Sequence, residues 1–113
     1  MAENSDEIKR REKAALEAIR QAYGTEVDEH GATLFVSHHL TEINSNYWET
    51  HLGTQTPEPI RVLDIIELRS HWGDDEDGGI EVFEFTLPGS ITDYVISVRF
   101  DETGAVGEIS MES

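Results

Sequence analysis

Three stretches in the second half of the chain alternate apolar and polar residues, and turn sequences follow two of them. Residues 93–100 place Tyr94, Ile96, Val98 and Phe100 on one face and Val95, Ser97 and Arg99 on the other. Residues 79–87 set Phe83, Phe85 and Leu87 against Val82, Glu84 and Thr86, and residues 105–111 set Ile109 and Met111 against Glu108 and Ser110. A period of two marks strands with one face on a core. Asp101-Glu102-Thr103-Gly104 is a good short hairpin turn, with glycine free to take a positive φ, and Leu87-Pro88-Gly89-Ser90 is another turn.

The first half reads differently. Ile8, Ala15, Ile19 and Ala22 recur at helical spacing, Asn4-Ser5-Asp6-Glu7 offers a capped start and Gly24 a stop, so an amphipathic helix is expected over 5–23. A short strand is expected at 32–36, with Ala32, Leu34 and Val36 on one face. A second helix from a Ser37 cap to about residue 52 would be closed by Gly53, with Leu40, Ile43, Tyr47 and His51 in one stripe and Trp48 and Leu52 at its edge. Residues 53–59, with two prolines, form a loop, and 60–69 reads as a strand or as a helix opened by Pro59. The expected fold is α+β: an antiparallel sheet of four to five strands, with an N-terminal helix and a second helix packed on one face. The expected core is Leu34, Val36, Phe83, Phe85, Tyr94, Ile96, Val98 and Phe100. At 113 residues the chain is expected to be one domain that buries a core without staples. The hydrophobic share of 37%, before glycine is counted, suits a folded chain rather than a disordered one.

Charge divides the chain in two. Residues 1–23 hold five acids and five bases, whereas residues 24–113 hold 19 acids against Arg61, Arg69 and Arg99 alone, so the whole formal charge of −16 belongs to this acidic body. Charge of that size strains a compact fold by self-repulsion and steers basic partners toward it. It repels anionic lipid and nucleic-acid phosphate, so neither a membrane nor direct nucleic-acid binding is expected. No run of about 18 apolar residues is present to span a bilayer. MAENSDEIKRREK has no apolar stretch like that of a signal peptide. No cysteine is available for a disulfide, and a cytoplasmic setting is expected.

Motifs that would carry catalysis are weak. Aligning Gly78 with the sixth position of a calcium loop puts Asp75, Asp77 and Glu84 at ligand positions, but Gly73 stands at position one with no side-chain oxygen. His38 and Glu42 share a helix face four residues apart and would need a third ligand such as His51. Ser37 and His38 are adjacent and cannot face one another, and no glycine-rich phosphate loop occurs. No metal, cofactor or catalytic residue is therefore expected.

Trp48 and Trp72 remain, the second directly before the acidic run Asp74-Asp75-Glu76-Asp77. An aromatic anchor ringed by acids suits a basic protein surface. The expected partner-binding residues are Trp72, Asp74, Asp75, Glu76, Asp77 and Glu81, with the acidic sheet face around Glu84, Glu108 and Asp93 as the next place to look. In size, acidity and lack of cysteine and catalytic motifs, the chain resembles as a class the immunity proteins that bacteria carry against toxins, and viral mimics of DNA. That resemblance implies a small inhibitor that covers a basic protein, a toxin or an enzyme acting on nucleic acid or nucleotides. The alternatives are a small α+β ligand-binding or enzyme domain, and a domain whose acidity is salt adaptation. The bases packed into residues 9–20 speak against the last, since adaptation would act on the whole surface.

Overall fold

Alternation in the C-terminal half resolves into an antiparallel meander. The computed structural model describes residues 2–72, 81–101 and 103–112, with side chains from residue 6 onward. Strands β1 (Glu67–Trp72), β2 (Val82–Thr86), β3 (Val95–Phe100) and β4 (Val106–Glu112) pair in the order β1-β2-β3-β4. Register sets two rows of side chains on the inner face, His71–Phe83–Val98–Ile109 and Leu68–Phe85–Ile96–Met111. Phe83, Phe85, Ile96 and Val98 are sealed completely. The Phe83 ring meets Phe100 edge-on at 5.5 Å and stacks on His71 at 5.2 Å.

Among the described residues three α-helices supply the other half of the core. Helix α1 (Ala2–Ala22) buries Ala15 and Ile19 fully and rests Ile8, Leu16 and Tyr23 against the same cluster, one narrow stripe on a charged rod. Gly24 ends it at φ 84°, a conformation that costs other residues about 1 kcal/mol or more. Near its start, Glu7 binds Arg10 at 2.5 Å and Arg11 at 2.6 Å, and these two cations hold the Glu7 carboxyl down to about 2. The Arg11 guanidinium lies 5.1 Å from the Phe100 ring, and Arg20 reaches Asp64. The charge-balanced helix is thus fastened to the acidic body by its own bases.

The strand expected at 32–36 is instead the opening of helix α2 (Ala32–Glu42). Ala32, Phe35, Val36 and His39 are the buried positions, a spacing of three and four, while Leu34, expected in the core, is only half-buried and stands outside it. Over five residues an apolar run fits either period, and a buried carboxylate decides. Asp28 lies in a short 3₁₀ turn (Glu26–Asp28), 3% exposed, and its two oxygens accept from Ala32 N, Thr33 N and Thr33 Oγ1 at 2.8–3.2 Å. Those bonds satisfy orphan donors of the first helical turn and place a negative charge at its positive end. Ser37 caps nothing, and its hydroxyl donates to the Leu34 carbonyl inside α2.

The single helix expected to residue 52 is broken in two. Ile43 is extended (φ −96°, ψ 140°) and Asn44 restarts the chain as α3 (Ser45–Leu52), its side chain accepting from Asn46 N at 2.8 Å. An Asn that bonds the backbone two residues on competes with helix continuation, and here it wins. Leu40, Ile43 and Tyr47 of the expected stripe still pack against the core, but His51 is exposed, and Trp48 and Leu52, expected at its edge, are the buried residues of α3. Residues 60–69 divide as well: Pro59 opens a 3₁₀ turn (Pro59–Asp64) that buries Val62 and Leu63, and β1 follows.

All of this packs on one side of the sheet, and of the expected core only Leu34 and Tyr94 are incompletely buried. One edge of the sheet is covered: Met111 N donates to the His30 carbonyl at 3.0 Å, just before α2. Among the described residues no backbone hydrogen bond reaches the outer edge of β1 from another element.

His39 ties α2 to the loop before β3. A carbonyl can only accept, so Nδ1 carries the proton donated to Phe35 O at 2.7 Å, and Nε2 accepts from the Thr92 hydroxyl at 2.9 Å. Burial pulls its pKa below that of a free imidazole and His38 adds to this, against the Phe35 carbonyl that favours the charged form. An imidazole with a lowered folded pKa binds fewer protons folded than unfolded, so stability is full above about pH 6.5 and falls as pH drops toward the folded value. Urea unfolding at pH 7.5 and 5.5 should therefore show a smaller loss for His39→Gln than for the native chain. Equal losses would clear His39 of any part in the acid response.

Candidate functional site

The described helices gather on one face of the sheet, and an open depression remains on the other face, where no described helix packs. Its side chains run in cross-strand rows fixed by the register: Trp72–Val82–Arg99–Glu108, then Ser70–Glu84–Ser97–Ser110, then Val95–Glu112. Between them lies a depression of about 370 Å³, bordered by Trp72, Arg99 and the glutamates 84, 108 and 112, with Ser97 and Ser110 at its floor.

Three local arrangements shape it. Arg99 donates to Glu81 Oε2 at 2.7 Å, and its guanidinium carbon stands 5.9 Å from the Trp72 ring centroid. In register Val82 lies between Trp72 and Arg99, so the two side chains meet above it, and Val82 is 1% exposed although it belongs to the outer face. The Ser70 hydroxyl donates to Glu84 at 2.9 Å and the Ser110 hydroxyl to Glu112 at 2.7 Å, which fixes both carboxylates by neutral donors. Among the described residues no Lys, Arg or His lies within ion-pair reach of Glu84, Glu108 or Glu112. Three carboxylates around one depression, with the bordering Arg99 paired to Glu81 rather than to any of them, leave a net negative field.

Trp72 and Glu81 of the expected patch stand together here, joined through Arg99; Asp74, Asp75, Glu76 and Asp77 lie outside the described residues. Glu84 and Glu108 share the face, as does Glu112, which the sequence reading did not single out. Asp93 does not: it sits before β3 in a separate depression with Glu67 and Thr92, its carbonyl accepting from Arg69 at 3.4 Å. The signal for Glu112 was parity, since it follows Glu108 and Ser110 at steps of two on the wet side of β4. The two tryptophans separate cleanly: Trp48 is core at 2% exposure, and Trp72 is 48% exposed.

Elsewhere little chemistry converges. Among the described residues no three His, Asp or Glu side chains gather where a metal ion would sit. His38 packs edge-on against Tyr94 at 4.9 Å, and the His51 ring lies 4.3 Å from that of Tyr47. The calcium-loop alignment falls mostly outside the described residues, and its last position, Glu84, is held by Ser70 on the sheet face. Thr92 and His39 form a hydroxyl–imidazole pair, but Thr92 Oγ1 also accepts Tyr94 N at 3.2 Å and the ring is 1% exposed, which makes it a strut between elements. Tyr47 is another, donating to the Pro88 carbonyl at 2.7 Å, with burial and then Glu67 pushing its phenol up to about 12. No described helix is long and apolar enough to cross a membrane. No family model, no curated protein and no solved structure matches the chain.

Proposed function

We propose that this chain is a small acidic inhibitor of the immunity type, which binds and neutralises a basic protein partner in the cytoplasm, a toxin or an enzyme that acts on nucleic acid or nucleotides. The observation that carries the reading is the sheet face where Glu84, Glu108 and Glu112 border one depression and, among the described residues, none of the three forms an ion pair; Arg99 at its border is held by Glu81 instead. The helices stabilise the sheet from behind, so the acidic face is presented on rigid strands whose geometry does not have to be ordered on binding. Enzymes of nucleic-acid chemistry line their clefts with Lys and Arg, and an opposed acidic surface gains both speed of encounter and register. The acidic run at 74–77, directly after Trp72, adds to the same field in sequence.

The test is inhibition followed by kinetics. The partner captured from the native host must lose its activity when one equivalent of this protein is added. Glu84→Gln/Glu108→Gln/Glu112→Gln should lower the association rate by about tenfold at low salt and flatten its salt dependence. Trp72→Ala should act on dissociation instead, with a loss of about 2 kcal/mol if the indole is an interface anchor. An association rate indifferent to the three glutamates would remove the sheet face from the reading.

A further inference from the structure

We propose that the open sheet face selects an arginine side chain of its partner, and that Arg99 is the chain's own placeholder for it. The inference rests on the reading of a basic protein partner and narrows what that partner must present. Trp72 keeps 48% of its surface exposed beside an acidic depression, and its one cationic neighbour among the described residues is Arg99, 5.9 Å from the ring and bound to Glu81 at 2.7 Å. An aromatic face together with a carboxylate fits a planar guanidinium better than an ammonium, because the guanidinium stacks and bonds in its plane at once.

Arg99 holds that position weakly. Its side chain is 51% exposed and the pairing with Glu81 is a surface ion pair, a class that contributes little because water screens it. Displacing it is cheap, and the carboxylates that would receive an incoming cation are already in place. Glu108 stands next to Arg99 in the same row, and Glu84 and Glu112 border the same depression, which at about 370 Å³ has room for a guanidinium and its stem. A partner arginine that enters there takes the Trp72 ring, with Glu84, Glu108 and Glu112 around its charge. Arg99 leaves the indole for solvent, keeping or giving up its exposed pair with Glu81. Charge complementarity decides the occupant: the face offers carboxylates, hydroxyls and one indole, and the side chain that uses all three is arginine.

The experiment uses two probes, nona-arginine and nona-lysine peptides, titrated calorimetrically into the full chain in 150 mM salt, with amide shifts recorded to locate binding. Four proteins are compared: native, Arg99→Gln, Trp72→Leu and the double variant, each checked for an unchanged melting temperature. The native chain should prefer nona-arginine by about threefold or more, the gain expected of an exposed cation–π contact. Arg99→Gln should widen that preference, whereas removing one positive charge alone would help both peptides equally. Trp72→Leu should abolish the preference with or without Arg99. Equal affinities for the two peptides in native and Arg99→Gln proteins, with shifts on β2, β3 and β4, would overturn arginine selection and leave the basic-partner reading standing. Failure of either peptide to bind even in 20 mM salt, or shifts confined to another surface, would overturn both.

Discussion

Phe83→Ala should cost about 3–5 kcal/mol, and its chain neighbour Glu84→Ala no more than about 0.5 kcal/mol. The two residues are adjacent in β2 and point to opposite faces. Phe83 is sealed between Phe100 and His71 in the inner row, and its loss leaves a cavity that the paired strands on either side cannot collapse into. Glu84 loses one hydrogen bond to Ser70 on a face that carries other carboxylates, and relief of their repulsion offsets it. Domains of this size have about 5–15 kcal/mol in all, so the first variant should melt roughly 15 °C lower and the second near the native temperature. Similar melting temperatures for both would mean that β2 does not have one dry side and one wet side.

The next largest effect should come from a residue with no side chain. A Cβ on Gly31 would stand 2.3 Å from Asp28 Oδ1 and 3.1 Å from the Ile109 carbonyl. The carboxylate would have to leave the three donors it holds at the start of α2, and the backbone oxygen has little room to give. Asp28→Ala should cost about 2 kcal/mol, from the lost cap and from donors left without partners. Gly31→Ala should cost at least as much. Because both act through the same carboxylate, the double variant should be less destabilised than the sum by about 1 kcal/mol or more. Additive losses in urea titration would show that Gly31 matters only for its contact with β4.

Legibility in the sequence followed the length of each periodic run. Residues 93–100 alternate through eight positions and were read to within two residues of β3, with Ile96, Val98 and Phe100 inward as expected. Helix α1 was equally plain over its 21 residues, since only its first turn extends beyond the expected start. The failures are short or hinge on one side chain. Ala32 to Val36 fits both periods, and the deciding partner, Asp28, lies in a turn with no apolar signal of its own. The break at Ile43–Asn44 depends on a single Asn whose bond to Asn46 N could equally have been a solvated side chain. For the candidate site, Trp72 and Glu81 could be named from sequence, but the partnership through Arg99 needed the pairing of Val82 with both Trp72 and Arg99, a register set by bulges and turns. Glu112 was legible by parity once β4 was placed, and Asp93 was misplaced because residues 91–94 precede the strand.

The unequal edges of the sheet limit what copies of this chain can build from one another. Growth of a fibril by strand addition requires every copy to offer a free edge on each side. Here the far side of β4 is already engaged at Met111 by the His30 carbonyl, whereas among the described residues no other element bonds the outer edge of β1, so β1 is the readier edge for a second molecule. Edge-to-edge recruitment of that kind uses up the readier edge of each partner: two molecules joined β1 to β1 would present to a third only their β4 rims, each engaged at Met111. With a formal charge of −16 on each, even that pair would meet against strong repulsion. Unequal edges and net charge thus both work against ordered aggregation of a chain that keeps Trp72 half exposed.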